Sequence, residues 1–378
     1  MPRFTTNRPG APGLRIVFLG AGLAASLGLA ACGGSSSSSA TASGSAGGNA
    51  GGGNIGVSLI TKDSTNPFFV AMQQSAKQNC PADGADIKVG SGKAEGDDEG
   101  QIAEIESAIA AQKKGILITP MSTGVNDAIS KARDAGLFVI ALDTPPDPAN
   151  TVDITFATDN RKAGNLIGKY TAAKLDGKKA VIALLDIFDD KVVSVDYNRD
   201  QGFLEGMGIN VADGKKNGDE AKTGKYTGGK GGDYEIVGNV ATGANEEGGQ
   251  SGMEQLLAKN KNINVVYTIN EPTAAGAATA MKSAGKSPAD YLLVSVDGGK
   301  DGVQAVQDGT IDATSQQYPG KMVSLGCKAI VAIAKGGAKP TTSPGLDFFD
   351  TGVTLIAKDP ATGVDSKDPK YGLENAWG

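Results

Sequence analysis

The sequence predicts an α/β fold of two Rossmann-like lobes built on parallel sheets, and three observations carry that prediction. Short aliphatic runs alternate with amphipathic stretches from residue 55 onward. The runs are apolar almost throughout rather than at every second residue, the mark of strands covered on both faces by helices. At 378 residues the chain also exceeds the size at which a single core stops growing, about 250–300 residues.

Each element follows from its local pattern. Runs that read as strands are "NIGVSLI" (54–60), "DIKVGS" (86–91), "GILITP" (115–120) and "LFVIALD" (137–143). Later come "KAVIALLD" (179–186), "YEIVGNV" (234–240), "INVVYTIN" (263–270) and "YLLVSVD" (291–297). Helical periodicity falls between them over 99–113, 125–135, 161–175, 246–259 and 273–284. Right-handed crossovers then give doubly wound sheets, with a lobe boundary near 153–160. The stretch "NVADGKKNGDEAKTGKYTGGKGGD" (210–233) is rich in Gly and Lys and aperiodic, and reads as an exposed loop insertion in the second lobe.

The first 53 residues read as an address. Arg3, Arg8 and Arg15 precede an apolar run over 16–31 that is short and rich in small residues. That pattern fits residues 1–31 as a secretory signal. It ends in Leu29-Ala30-Ala31-Cys32, which resembles a bacterial lipobox with lipid attachment at Cys32. Residues 32–53 form a Gly/Ser tether unable to bury enough apolar surface to fold. The expected product is a globular domain held at the outer face of a membrane by a two-chain lipid anchor. In that oxidising compartment Cys80 and Cys327 can pair, or stand as two separate buried thiols.

Composition excludes several functions. The net charge of −6 argues against non-specific nucleic-acid binding, which needs a basic face. There is no histidine, which removes His-dependent hydrolysis, imidazole metal sites and a histidine switch. No P-loop occurs, and no G-x-G-x-x-G follows the first strand. Asp97-Asp98 and Asp189-Asp190 are sequence neighbours and read as solvated loop charges rather than an acid/base pair. No cofactor, metal or catalytic residue is expected.

In open α/β sheets ligands bind beyond the carboxyl ends of the strands. The segments leaving the strands are 61–69, 119–122, Asp143-Thr144, Asp186, 270–272 and 297–299, with Asn, Asp and Thr in high density. Any one of these could be no more than a helix cap; six together point to a cleft. Asn66, Asp143, Arg199, Asn270, Asp297 and Gln317 offer paired donors and acceptors that suit vicinal hydroxyls. Phe68 and Phe69 offer flat apolar faces for a sugar ring, although one of them could simply pack in the lobe. Arg199 is a partner for a buried aspartate; the competing reading is a solvated helix charge.

The segments "SLITKDSTNPFFVAM", "GILITP", "FVIALDT", "ATDN", "NRDQGF", "YTINEPTAAGA", "VSVDGGKDG" and "ATSQQYPGKM" resemble, in order and spacing, the ribose-type (type I) periplasmic sugar-binding proteins of ABC importers. The likeness runs from residue 55 to the C-terminus. "ANEEGGQSGMEQLL" (244–257), "TINEPTAAGA" and "LDFFDTGVTLI" (346–356) are similar to the fructose-binding members. The resemblance implies two lobes joined by a three-crossing hinge, 54–157 plus about 318–345 and 158–317 plus about 346–378. It implies a ligand set of Asn66, Phe68, Phe69, Asp143, Thr144, Arg199, Asn270, Asp297 and Gln317. Thr119, Thr144, Ala244 and Val296 depart from the ribose pattern, so a ketohexose, fructose foremost, fits better than ribose. The resemblance also sets Cys80 and Cys327 on neighbouring helices as a possible disulfide. A monomeric, non-enzymatic importer subunit working with a membrane permease follows from it. A receptor that presents a sugar or autoinducer to a membrane sensor shares the same binding physics.

Overall fold

A computed structural model describes residues 54–378. The expected signal (1–31), Cys32 and the tether (32–53) lie outside the described residues. The first lobe opens with β1 (Ile55–Thr61), α1 (Pro67–Asn79), β2 (Ala85–Ser91), α2 (Asp98–Ala110), β3 (Gly115–Ile118), α3 (Asn126–Asp134), β4 (Phe138–Leu142) and β5 (Ile154–Ala157). The second lobe follows with α4 (Asn160–Leu175), β6 (Ala180–Asp186), α5 (Ser194–Met207), β7 (Thr223–Tyr226), β8 (Gly232–Ala241) and α6 (Glu246–Lys259). It continues through β9 (Val265–Thr268), α7 (Glu271–Ser283), β10 (Leu292–Asp297), α8 (Lys300–Asp308) and β11 (Ala313–Gln316). The chain then returns to the first lobe for α9 (Pro319–Ala334) and β12 (Phe349–Asp350), and ends in the second with β13 (Thr354–Ala357) and α10 (Pro369–Asn375).

The first sheet has the order β12-β5-β4-β3-β1-β2 and the second β13-β11-β10-β9-β6-β8-β7. All neighbours pair in parallel except at the β13 and β7 edges. Central strands such as β3, β4 and β9 are buried at every residue, as near-continuous apolar runs require. In each lobe the first strand lies inside the order (β1 between β2 and β3, β6 between β8 and β9), so a switch point opens at its carboxyl end. The chain crosses between lobes three times, at 158–159, 317–318 and 351–353.

Two expected boundaries are corrected. The resemblance puts Phe349 and Asp350 in the second lobe, but β12 extends the edge of the first sheet, with Phe349 opposite Phe156 and their rings edge-to-face at 5.6 Å. The insertion at 210–233 is also not all loop. Residues 223–226 pair antiparallel with β8, and Tyr226 is buried with its hydroxyl donating to the Lys178 carbonyl at 2.7 Å. Its Gly-rich end is the hairpin turn, where Gly229 and Gly231 take positive φ.

Helices α4 and α5 meet backbone to backbone. A Cβ on Gly164 would lie 2.1 Å from the Arg199 carbonyl oxygen, and one on Gly168 2.1 Å from that of Phe203. Reciprocally, Gly202 faces the Arg161 carbonyl at 2.2 Å and Gly206 that of Asn165 at 2.3 Å. Two small-x-x-x-small pairs thus draw the helices together, and α5 is buried nearly all round. No amphipathic stripe remains to mark it in the sequence.

A disulfide joins Cys80, just after α1, to Cys327 on α9, with the Cα atoms 5.6 Å apart. The closed loop spans 247 positions, and cross-linking so long a loop removes much of the unfolded chain's freedom. A Cys80→Ser/Cys327→Ser double variant should lose about 2–5 kcal/mol in chemical denaturation. Equal midpoints for variant and parent would show that the cross-link contributes nothing.

Beneath the second lobe's cleft lies a group of buried carboxylates. Burial pushes Asp186 and Asp200 well above the usual range, each reinforced by neighbouring carboxylates. Burial also raises Asp196 to about 6, against hydrogen bonds from the Ile187 and Phe188 amides. In the unfolded chain these groups ionise near pH 4, so the folded state holds extra protons between that pH and their raised values. Stability from this source is complete below about pH 4 and is lost as pH rises through about 6 and beyond. The ligand-free protein should melt higher at pH 5.5 than at pH 8, and Asp200→Asn should flatten that slope. A parallel slope in the variant would remove Asp200 from the account.

Candidate functional site

The two lobes are closed on one another. Lys191 reaches across to the Gly96 carbonyl at 2.6 Å and to Asp98 at 3.2 Å. Lys215 pairs with Asp147 at 2.8 Å, and the Ser194 hydroxyl donates to the Pro145 carbonyl. Behind this rim lies a small chamber of about 30 Å³, well below the roughly 300–1,000 Å³ of open small-molecule clefts, so a ligand larger than water has to enter while the lobes are apart.

Arg199 occupies the centre. The α4–α5 contact delivers it, and Nε donates to Asn160 Oδ1 at 2.8 Å while Nη1 donates to the Ile269 carbonyl at 2.9 Å. With its plane so fixed, the guanidinium lies 3.8 Å from Asp143 of the first lobe and 3.6 Å from Asp297 of the second. All three side chains are buried. Both separations exceed a hydrogen bond, so each carboxylate feels the charge while keeping acceptor capacity. Asp143 Oδ1 and Gln317 Oε1 are buried with no hydrogen-bond partner among the described residues. Incoming hydroxyl donors would satisfy them.

The surrounding side chains are held in place. Thr144 donates to Asp143 Oδ2 at 2.9 Å, and Gln317 Nε2 donates to Asp297 Oδ1 at 2.8 Å. Asp143, Ala244 and Asp297 all have positive φ, a cost that folded chains concentrate where a side chain must be aimed. Burial pushes Asp297 up to about 7, with Arg199 opposing. Glu271, just outside the chamber, accepts from the Gly298 and Gly299 amides and from Thr314, and so anchors the loop after Asp297.

Of the expected residues, Asn66, Phe68, Phe69, Asp143, Arg199, Asn270, Asp297 and Gln317 all border the chamber. Thr144 does not; it acts on Asp143 from behind. Asn66 caps α1, its Oδ1 accepting from the Phe68 amide at 3.0 Å. Asn270 caps α7 and donates to the Ala244 carbonyl at 2.9 Å. Of the departures from the ribose pattern, Ala244 borders the chamber whereas Val296 packs in the second-lobe core.

Two charged lining residues are new to the site, beside the apolar Ile187, Val195 and Ile269. Lys62, at the exit of β1, pairs with Glu95 of the β2–α2 loop at 2.9 Å, and both are buried. Burial raises the Glu95 carboxyl, with Lys62 opposing. A charged residue directly after an apolar strand was the available signal for Lys62. Glu95 sits in a Gly- and charge-rich loop that reads as solvated. Among the described residues no group of His, Cys, Asp and Glu is arranged to hold a metal ion, and no helix is long and apolar enough to cross a membrane.

Comparison with known proteins agrees with this architecture. The model of the periplasmic binding protein domain matches residues 55–338. A ribose import binding protein of Bacillus subtilis is 28% identical over 283 residues, 75% of this chain and 82% of that protein. An ABC transporter solute-binding protein from Agrobacterium vitis, solved with bound D-fucose, superposes with a TM-score of 0.68 at 24% identity. The match covers 85% of this chain and 99% of that one. A second from that organism, bound with α-D-tagatopyranose, gives 0.68 at 21% identity, covering 86% and 100%. With its two lobes, three crossings and interlobe chamber, the chain belongs to the periplasmic binding protein domain family.

Proposed function

We propose that the chain is the substrate-binding subunit of an ABC sugar importer, taking up a monosaccharide between its lobes and handing it to the permease. The observation that carries this is Arg199 fixed between two carboxylates from opposite lobes, beside buried acceptors that await hydroxyl donors. A sugar hydroxyl can donate to Asp143 or Asp297 and accept from Arg199, so the ligand itself completes the contact that shuts the lobes. Phe68 and Phe69 supply the apolar wall. The solute-binding relatives described above include sugar binders, and no step of this cycle requires covalent chemistry.

Within the sugars we favour a ketohexose, fructose foremost. Ala244 leaves room at the chamber wall, and the Lys62–Glu95 pair adds hydrogen-bonding groups for a further hydroxyl. The relative bound to tagatopyranose, itself a ketohexose, is in keeping with that choice. Anchoring through Cys32 completes the proposal, with the domain working outside the cell membrane at the end of its tether.

A melting-point panel with fructose, tagatose, ribose, galactose, glucose, xylose and inositol tests the reading. At a hundredfold excess over Kd the true ligand adds about 2.7 kcal/mol of stability, and fructose should give the largest rise. A rise with ribose alone would overturn the ketohexose choice, and no rise with any of them would overturn sugar binding. Asp143→Asn, which keeps the shape and removes the charge, should weaken sugar binding by about 10- to 150-fold by calorimetry. Phe68→Ala or Phe69→Ala should weaken it with the circular dichroism unchanged. Mass spectrometry of the membrane fraction reads the lipid on Cys32, and an unmodified thiol there would end the anchoring proposal.

A further inference from the structure

We propose that Trp377, from the penultimate position of the chain, is a positioning residue of the sugar site that clamps the closed lobes on the hinge side. The proposal rests on the sugar-site reading above and adds a residue outside the expected ligand set. Four contacts carry it. The indole meets Phe68 edge-to-face, with centroids 5.3 Å apart and planes at 83°. Its Nε1 donates to the Gln317 carbonyl in the hinge crossing at 3.1 Å. Its own carbonyl accepts from the Lys300 amide at 2.9 Å. Lastly, a Cβ on Gly299 would lie 3.0 Å from the ring, so the bare glycine lets the indole in.

These contacts lie on three bodies. The tail belongs to the second lobe, since α10 packs on α8 and Lys300 begins α8. Phe68 belongs to the first lobe, and Gln317 lies between the two. Asn66 and Asp297 border both the sugar chamber and a larger outer groove; Phe68 borders only the chamber, and Trp377 only the groove. The indole therefore backs the ring that faces the sugar. Phe68 in turn meets Phe69 edge-to-face at 5.6 Å, so one aromatic row runs from the tail to the chamber. A hinge rotation that carries α8 away from α1 has to shear the indole from Phe68. The clamp favours the closed geometry and acts on the sugar through Phe68 without touching it.

Trp377 is the chain's one tryptophan, so its emission reads the contact directly. The test compares Trp377→Ala and Trp377→Phe with the parent in the full chain, using fructose or whichever panel sugar raises the melting point. The Ala variant should release sugar about two- to tenfold faster, the range an edge-to-face aromatic pair supports, and the Phe variant less so. Small-angle scattering should show a larger ligand-free radius of gyration in the Ala variant and an unchanged sugar-saturated one. In the parent, Phe68→Ala should shift the tryptophan emission to the red. Unchanged release and unchanged scattering would overturn the clamp. So would a lower ligand-free melting point with no scattering change, which marks a merely structural side chain. Should no sugar bind the parent, the sugar reading falls, and the ligand-free scattering comparison still decides the clamp.

Discussion

The buried cation between the lobes, Arg199, governs this molecule. The Arg199 guanidinium cannot stay charged in the interior without countercharge, and its two countercharges come from different lobes. Asp297 travels with it; Asp143 arrives only when the lobes meet. The closed form is therefore the state in which the cation is neutralised from both sides, and closure is an electrostatic event before it is a steric one. The Asn160 and Ile269 contacts fix the plane of the fork, so the first lobe docks against a preset orientation. The backbone contact between α4 and α5 is what makes this possible, because any side chain at Gly164 would displace the Arg199 turn.

The closed chamber couples that charge balance to recognition. Its acceptors are aimed by backbone in strained conformations and by neighbours such as Thr144 and Gln317, so little reorganisation remains when a ligand enters. The Lys62–Glu95 pair works differently. It is internally neutral and belongs wholly to the first lobe, so it shapes the chamber without depending on closure.

Much of this was legible in the sequence, for a physical reason. Parallel strands buried on both faces leave unbroken apolar runs, and the polar residues at their exits stand out against them. That contrast located Asn66, Asp143, Asn270 and Asp297. It could not separate Thr144, which supports Asp143, from a residue that faces the chamber, because both leave the same strand. Glu95 was missed because burial of a charge depends on its partner, and Lys62 lies 33 positions away. Strand β12 is two residues long, too short for any period to register. Strand β7 hides in a Gly/Lys-rich stretch where Tyr226 alone turns inward. Trp377 lies 60 positions from Gln317 and over 300 from Phe68, so only the folded chain brings them together.

The return of the chain to the first lobe also orders its assembly. The first sheet and its helices need α9 to cover β1, β3 and β4, and the partner of Cys80 lies on that helix. None of that surface exists until residue 327 is available. The second lobe draws most of its sheet and all but one of its helices from one continuous stretch, residues 160–316. A chain emerging from its N-terminus thus holds an unfinished first lobe while most of the second gathers; α9 and β12 then complete the first lobe, and β13 and α10, further along, complete the second.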